Sequence, residues 1–195
     1  MHCLCYTVRM GKFNFIKTDI EGLFVIEPKI FEDSRGYFCE SYNYNDFCEA
    51  GITDKFVQDN ESVSSKGVLR GLHFQKSHPQ SKLVRVVEGE VFDVAVDLRE
   101  NSSTFGKFYG VVLSAENKKQ FYIPRGFAHG FLVLSEKAKF CYKCDEFYFA
   151  DDQFGIRFDD EDINIDWKSY LNAEFILSDK DKQNPTLKEY LANGR

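Results

Sequence analysis

The sequence has little proline and no long apolar run. Only 4 of its 195 residues are proline, and no apolar stretch approaches the ~20 residues that a membrane-spanning helix needs. Lysine and arginine form no continuous stripe, and 25 basic against 31 acidic side chains give a formal net charge of -6. Proteins neutralise a phosphate backbone with such stripes, so we expect neither a membrane nor nucleic acid as a partner.

An apolar segment of signal-peptide length is missing from the first nine residues, and Met10 offers an alternative start. With no low-complexity linker and no internal repeat, we interpret residues 1–14 as an N-terminal extension and residues 15–195 as one domain. Disulfides belong to oxidising compartments, so we expect a cytoplasmic protein with reduced thiols. The six cysteines are Cys3, Cys5, Cys39, Cys48, Cys141 and Cys144.

Aromatic residues are abundant, and apolar residues occur in short stretches in which they alternate with other residues. The chain has 20 Phe and 10 Tyr, which suit pleated, half-buried surfaces. In residues 91–98 apolar side chains alternate with Asp93, Ala95 and Asp97, the period of a strand. A second strand, residues 82–87, precedes it, and Glu88-Gly89 predicts a tight turn that joins the two as a hairpin.

Other stretches with strand character follow at short intervals, and turn residues separate them. They are residues 22–26, 36–41, 56–62, 68–74, 106–113, 120–123, 129–134 and 139–149. Helical patterns are confined to residues 43–50 and to a C-terminal tail from Thr186. Many short strands with few helices predict an all-β fold, either a jelly roll or an up-and-down barrel.

Acid–base chemistry would have few histidines to draw on, at positions 2, 73, 78 and 129. In the strand of residues 68–74, His73 points to the face opposite Leu72 and Phe74. Taken alone, it fits a hydrogen-bonded structural histidine better than a catalyst. Glycines and phenylalanines flank His129, and this segment alone leaves a binding role and a turn role open.

A metal site is not predicted. The sequence has no His-x-His pair, and His73 and His78 are spaced so that they do not share a strand face. Cys141 and Cys144 form a C-x-x-C spacing, but residues i and i+3 of a strand project to opposite faces, and no second pair completes a zinc site.

Five segments together resemble the dTDP-4-dehydrorhamnose 3,5-epimerase family. They are residues 56–62, 67–75 with Arg-Gly-Leu-His-Phe-Gln, 82–85, 89–99 and 123–131, and the likeness runs in order from Phe15 to Leu187. The resemblance implies a cupin-type double-sheet jelly roll with a few short helices and no cofactor. It also implies a homodimer in which an N-terminal strand crosses to the partner.

The resemblance further implies a set of site residues. His73 matches the family's catalytic base, Asp181 its paired carboxylate, Tyr142 the acid on the other face of the sugar, and Lys82 the cation beside the keto oxygen. The implied substrate-binding residues are Phe31, Arg35, Glu40, Gln58, Asp59, Asn60, Arg70, His129, Tyr148, Gln153 and Lys180. This chain departs from the common pattern at Phe147, at Gln153, where Glu is frequent, and at Lys168, where Pro is usual.

These residue types suit proton transfer next to a ketone. A C4 ketone acidifies the hydrogens on C3 and C5, and epimerisation needs a base, a stabiliser of the enolate oxygen and a proton donor on the opposite face. The expected reaction converts dTDP-4-dehydro-6-deoxy-D-glucose to dTDP-4-dehydro-L-rhamnose in dTDP-L-rhamnose biosynthesis. Alternatives are inversion at C3 alone, a non-catalytic jelly roll that binds sugar nucleotides, and a metal-dependent oxygenase.

Overall fold

The computed structural model describes residues 7–193, and this part of the chain is built mainly from antiparallel strands. The strands are β1 Thr7–Met10, β2 Phe13–Lys17, β3 Phe24–Pro28, β4 Phe31–Asp33, β5 Gly36–Phe38, β6 Gln58–Ser65, β7 Leu69–Gln75, β8 Lys82–Glu88, β9 Glu90–Asp97, β10 Phe108–Ser114, β11 Gln120–Ile123, β12 Phe127–Val133, β13 Lys137–Cys144 and β14 Gln153–Gly155. The α-helices are α1 Tyr44–Glu49 and α2 Leu187–Asn193, and 3₁₀ turns lie at Ala150–Asp152, Trp167–Ser169 and Asp181–Gln183.

Two sheets pack against each other. The larger has the strand order β1-β2-β3-β11-β8-β13-β6, and the smaller has the order β10-β9-β12-β7-β14. A two-stranded hairpin, β4-β5, is hydrogen-bonded to neither sheet. This arrangement confirms the predicted double-sheet all-β fold. Ten of the observed strands overlap the predicted stretches with shifts at their ends, whereas β1, β2, β4 and β14 lie outside all of them.

Apolar side chains form three layers. The layer between the sheets contains Phe121 and Phe140, a second covers the outer face of the smaller sheet around Trp167, and a third covers the outer face of the larger sheet around Phe47. Each fully buried side chain of this kind stabilises the fold by about 1.5–3 kcal/mol. Both sheets are therefore covered on both faces over much of their area.

The predicted hairpin of residues 82–87 and 91–98 is wrong. β8 pairs with β11 and β13, whereas β9 pairs with β10 and β12, so the turn at Glu88-Gly89 carries the chain from one sheet to the other. Gly89 has φ +76°, and a Cβ there would lie 2.0 Å from the Lys137 carbonyl oxygen. The glycine that signalled a tight turn thus permits a close crossing between layers.

The sheet begins before residue 15. β1 and β2 extend the larger sheet into residues 7–14, which the sequence analysis assigned to an extension. Phe13 is 1% exposed and packs edge-on against Phe47 of α1 at a centroid distance of 5.3 Å. Asn43 caps that short helix by accepting hydrogen bonds from the Asn45 and Asp46 amides.

The described cysteines, Cys39, Cys48, Cys141 and Cys144, are free thiols. Cys3 and Cys5, also expected to be reduced, lie outside the described residues. Across residues 7–193, no helix is long and apolar enough to cross a bilayer.

Candidate active site

A cavity of about 680 Å³ lies between the two sheets and is lined from both of them. Strands β6, β8 and β13 of the larger sheet form one wall, and β7 and β12 of the smaller sheet form the other. Of the predicted site residues, those that line it are Gln58, Asn60, Arg70, His73, Lys82, His129, Tyr142, Tyr148, Gln153, Lys180 and Asp181. The fold therefore brings together residues that are more than a hundred positions apart in the sequence.

His73 and Asp181 form a hydrogen-bonded pair on the smaller-sheet wall. The His73 Nε2 atom lies 2.5 Å from Asp181 Oδ1, and the two side chains are 28% and 4% exposed. Burial alone would raise the pKa of Asp181, but hydrogen bonds from His73, Ser178 and the Gly71 amide lower it below its ordinary value. The carboxylate thus stays charged and fixes the imidazole.

Tyr142 and Lys82 line the opposite wall. Tyr142 lies on β13, and its neighbour two residues on, Cys144, is the cross-strand partner of Lys82 on β8. Burial disfavours the charged form of each group. It therefore lowers the pKa of Lys82 and raises that of Tyr142. The negative charge of Asp93 counteracts the effect on Lys82.

A second histidine–carboxylate pair lies beside the first. His129 on β12 is the cross-strand partner of His73 on β7, and its Nε2 lies 3.0 Å from both Asp93 oxygens. Sequence reasoning included His129 but missed Asp93. The available signal was an acidic residue within the apolar strand of residues 91–98, where a wholly buried carboxylate requires a partner.

Two glycines allow this close placement of the histidines. Gly71 has φ +133°, and a Cβ on it would lie 2.5 Å from the Gly130 Cα atom. A Cβ on Gly130 would lie 2.8 Å from the Arg70 carbonyl oxygen. Strands β7 and β12 are irregularly paired at this point, so the glycines let the backbones approach where the strand register shifts.

Polar residues and one aromatic ring lie at the mouth of the cavity. The Tyr148 hydroxyl donates to Gln153 Oε1 at 2.6 Å, and the Tyr148 amide donates to Gln58 Oε1 at 3.0 Å. Tyr148 is 52% exposed, which leaves its ring free to stack on a planar ligand. Arg70 and Lys180 add two positive charges that could bind phosphate groups.

The loop that carries Tyr148 is held by Gln75, which sequence reasoning did not select. Gln75 is 6% exposed, and its amide nitrogen donates to the carbonyl oxygens of His78 and Phe147 at 2.7 and 3.1 Å. Its amide oxygen accepts from the Phe149 amide at 2.8 Å. Two of these bonds connect β7 to the Tyr148 loop, and the third holds the segment at His78 that follows β7.

Four predicted binding residues lie outside this cavity. Phe31 and Arg35 belong to the β4-β5 hairpin, where Arg35 is 87% exposed and bonded to Asp33. Glu40 pairs with Lys12 at 2.7 Å. Asp59 points to the outer face of the larger sheet because it alternates with Gln58 and Asn60, and it pairs with Lys143 at 2.7 Å.

Within residues 7–193, no group of three or more His, Cys, Asp and Glu side chains is placed to hold a metal ion. The histidines of the cavity each pair with one carboxylate.

Groups capable of proton transfer stand on both walls of a cavity inside a double-sheet jelly roll, and this combination defines the class of jelly-roll epimerases, which are isomerases. Known proteins place the chain more narrowly. The model of the dTDP-4-dehydrorhamnose 3,5-epimerase family matches residues 17–189, so the chain belongs to this family. The predictions of the family, of its fold and of an isomerase of this type are confirmed.

Individual relatives agree with this assignment. The dTDP-4-dehydrorhamnose 3,5-epimerase of Methanothermobacter thermautotrophicus is 53% identical over 180 residues, which cover 92% of this chain and 97% of that one. A solved dTDP-6-deoxy-D-glucose-3,5-epimerase from Legionella pneumophila, in complex with dTDP-4-keto-L-rhamnose, matches with a TM-score of 0.87 and 53% identity over 90% and 93% of the chains. A 3'-monoepimerase from Streptomyces bikiniensis, in complex with dTDP-quinovose, has a TM-score of 0.84 and 33% identity over 91% and 89%.

Proposed function

We propose that this chain inverts C3 and C5 of dTDP-4-dehydro-6-deoxy-D-glucose to give dTDP-4-dehydro-L-rhamnose, for dTDP-L-rhamnose biosynthesis in the cytoplasm. One observation carries the proposal: His73 with its carboxylate and Tyr142 stand on opposite sheets across one cavity. A sugar ring between them would present one face to a base and the other to an acid. Inversion requires that relation, because the proton leaves one face and arrives at the other.

The first step is removal of a proton from the carbon next to the ketone. With the Nε2 proton donated to Asp181, the neutral His73 ring carries its lone pair on Nδ1, the atom that can accept the substrate proton. The imidazolium that forms is stabilised by the charged Asp181 carboxylate at 2.5 Å. The electron pair left on carbon is delocalised onto the C4 oxygen as an enolate.

Lys82 supports this step from the other wall. An ammonium group beside the C4 oxygen stabilises the negative charge as it develops, and it does so most strongly in a site that excludes water. Its partial burial increases the strength of that interaction and also lowers its pKa. Activity therefore depends on Lys82 keeping its proton.

Tyr142 completes the inversion. Burial raises the pKa of its phenol, so the group stays protonated throughout the neutral range and can donate to the enolate carbon. The donation comes from the larger sheet, on the face opposite His73. Repetition at the second carbon would give the doubly inverted product.

The nucleotide part of the substrate would bind at the cavity mouth. Arg70 and Lys180 would bind the diphosphate, and the exposed ring of Tyr148 would stack on the base. Gln58, Asn60 and Gln153 offer hydrogen bonds along the same path, whereas His129, beside His73, faces the sugar. Binding at this remote end positions the sugar ring against the base and the acid.

The residues left outside the cavity support a homodimer with exchanged N-terminal segments. Phe31, Tyr37 and Phe38 are 40%, 57% and 61% exposed on the β4-β5 hairpin, and Arg35 beside them faces solvent. We infer that this hairpin, with Glu40 near its base, reaches the cavity mouth of the partner. Asp59, on the outer face of the sheet, would then contribute through that interface.

The homodimer can be tested by mixing two inactive variants. Arg35→Ala disables the hairpin and His73→Ala disables the base, so a mixed dimer would contain one site with neither change. After random subunit exchange, about a quarter of all sites would be intact. Recovery of about a quarter of wild-type activity would therefore support the exchanged N-terminal segments. No recovery in dimers that mass analysis shows to be mixed would refute them.

Solvent deuterium tests the reaction itself. In heavy water, the 4-keto sugar should acquire deuterium at both C3 and C5, and mass spectrometry with proton NMR would locate it. Label at C3 alone would favour the alternative of a single inversion, as in the 3'-monoepimerase neighbour. Tight binding of the sugar nucleotide without any exchange would favour the non-catalytic alternative.

A further inference from the structure

Asp93 is a carboxylate within the apolar layer between the sheets. It is 0% exposed on β9, and the residues next to it in the sequence, Phe92 and Val94, pack into the outer apolar layer. A charge removed from water in this way is strongly unfavourable unless its partners compensate for it. The position of Asp93 therefore depends on the groups that surround it.

The closest of these groups is His129. Both Asp93 oxygens lie 3.0 Å from His129 Nε2, and the imidazole, 8% exposed, lines the cavity. Because Nε2 is engaged by the carboxylate, Nδ1 is the ring atom left for a ligand. The stack of His129 on Phe140, at a centroid distance of 6.0 Å and 26°, restricts rotation of the ring further.

Asp93 also acts across the layer on Lys82, which belongs to the other sheet. Burial lowers the pKa of Lys82, and the negative charge of Asp93 opposes that shift. One carboxylate thus influences two cavity groups on opposite walls. Cys144 on β13 is the cross-strand partner of Lys82. The other titratable groups that line the same cavity are Arg70, His73, His129, Tyr142, Tyr148, Lys180 and Asp181.

We propose that Asp93 is a positioning residue of this site, which holds the His129 ring toward the sugar and balances the positive charge of Lys82. The proposal rests on the function inferred above. In the reaction, the side chains of Lys82 and His129 would both lie next to the C4 oxygen of the sugar, where the enolate charge forms. Groups fixed in advance stabilise that oxygen without reorganisation during the step.

The decisive variant is Asp93→Asn, which keeps the shape of the side chain and removes its charge. We expect kcat to fall roughly 10- to 100-fold, the loss seen when the carboxylate partner that orients a metal-bound histidine is removed. We also expect the alkaline limb of the kcat profile to move to lower pH, because Lys82 would lose its proton more easily. A purely structural role would reduce the amount of folded protein and leave the limb in place.

Asp97→Asn is the matched control. Asp97 is also 0% exposed on β9 and lies on the same face of the strand, but its partner is Arg99, which does not line the cavity, whereas the partner of Asp93 is the cavity residue His129. We expect this variant to lower stability without moving the alkaline limb. An unshifted limb in Asp93→Asn, or an equal shift in both variants, would overturn the proposal.

A second measurement uses the wild-type protein and does not depend on the folding of a variant. In ¹⁵N-histidine NMR spectra of the complex with dTDP, His129 should show a protonated Nε2. A spectrum with the proton on Nδ1 alone would refute the assigned role. Failure of the proposed function would appear separately, as absence of deuterium exchange in the wild type.

Discussion

His73 and His129 are direct cross-strand partners, and each imidazole is bonded to its own buried carboxylate. Opposed residues of antiparallel strands have Cβ atoms about 4.5–5.5 Å apart, so the two rings share one face of the smaller sheet. Their partners differ in origin, since Asp181 comes from a 3₁₀ turn near the C-terminus and Asp93 from the adjacent strand β9. Substitutions can therefore separate the roles of the two pairs.

Removal of the base should abolish most of the reaction. We expect His73→Ala to lower kcat by a factor on the order of 10²–10⁴, the usual contribution of a positioned acid or base, while the Kd for dTDP stays within a few-fold. Steady-state kinetics and calorimetry would measure both. His78→Ala is the control, since His78 is 46% exposed and does not line the cavity. A His73→Ala enzyme that still epimerised would exclude the mechanism.

Loss of the acid should separate exchange from inversion. In Tyr142→Phe the base remains, so His73 should still remove the substrate proton and return a solvent deuteron to the same face. We expect deuterium to enter the recovered substrate, while inverted product forms about 10²-fold more slowly. NMR of substrate and product in heavy water distinguishes the two. Equal losses of exchange and inversion would argue that Tyr142 does not act as the donor.

The close approach of β7 and β12 should be intolerant of a side chain. Gly71→Ala places a Cβ 2.5 Å from the Gly130 Cα atom, whereas Gly36, with a similar φ of +126°, has no atom within 4 Å. Both substitutions share the cost of a positive φ. We expect Gly71→Ala to be roughly 1–3 kcal/mol more destabilising than Gly36→Ala, as measured by urea unfolding. Equal effects would mean that the strands separate freely here.

Asp97 should make stability depend on pH. Although burial would raise its pKa, hydrogen bonds from Arg99, Ser102 and Thr104 lower it from 3.8 to about 2. The charged form therefore stabilises the fold by about 2 kcal/mol above pH 4, and this contribution is lost as pH falls toward 2. The free energy of unfolding of Asp97→Asn should therefore lie below that of the wild type at pH 7 and nearly equal it near pH 2. A deficit independent of pH would contradict this account.

The Gln75 amide should govern substrate affinity through the Tyr148 loop. Gln75→Leu leaves two carbonyl oxygens and the Phe149 amide without their partner, which costs on the order of 1–3 kcal/mol and should loosen the loop. We expect KM to rise about 10-fold with a smaller change in kcat. Gln80→Leu, which removes one bond to the Glu146 carbonyl, should have a weaker effect. A loss confined to kcat would place Gln75 in the chemical step.

Sequence patterns located most strands because alternation depends on local side chains. The connection between β8 and β9 was not predicted correctly, since a glycine turn can form a hairpin or cross between sheets, and only the pairing partners decide. Asp93 shows the same limit: acidic residues in alternation suggest an exposed face, but β9 is covered on both sides. The His73–Asp181 pair came from the family resemblance, because two residues 108 positions apart leave no periodic signal.

The stack of Phe131 on Phe140 joins the two sheets directly, with ring centroids 4.2 Å apart and an interplanar angle of 12°. His73 and Tyr142 lie on opposite sheets. The packing of the two phenylalanine rings therefore sets the distance between the sheets, and with it the space available to the sugar ring. Replacing Phe131 or Phe140, which both line the cavity, with a smaller residue would change this distance without altering a titratable group. The hydrophobic core here fixes the distance between the proton acceptor and the proton donor, so a mutation that changes packing can also change kcat.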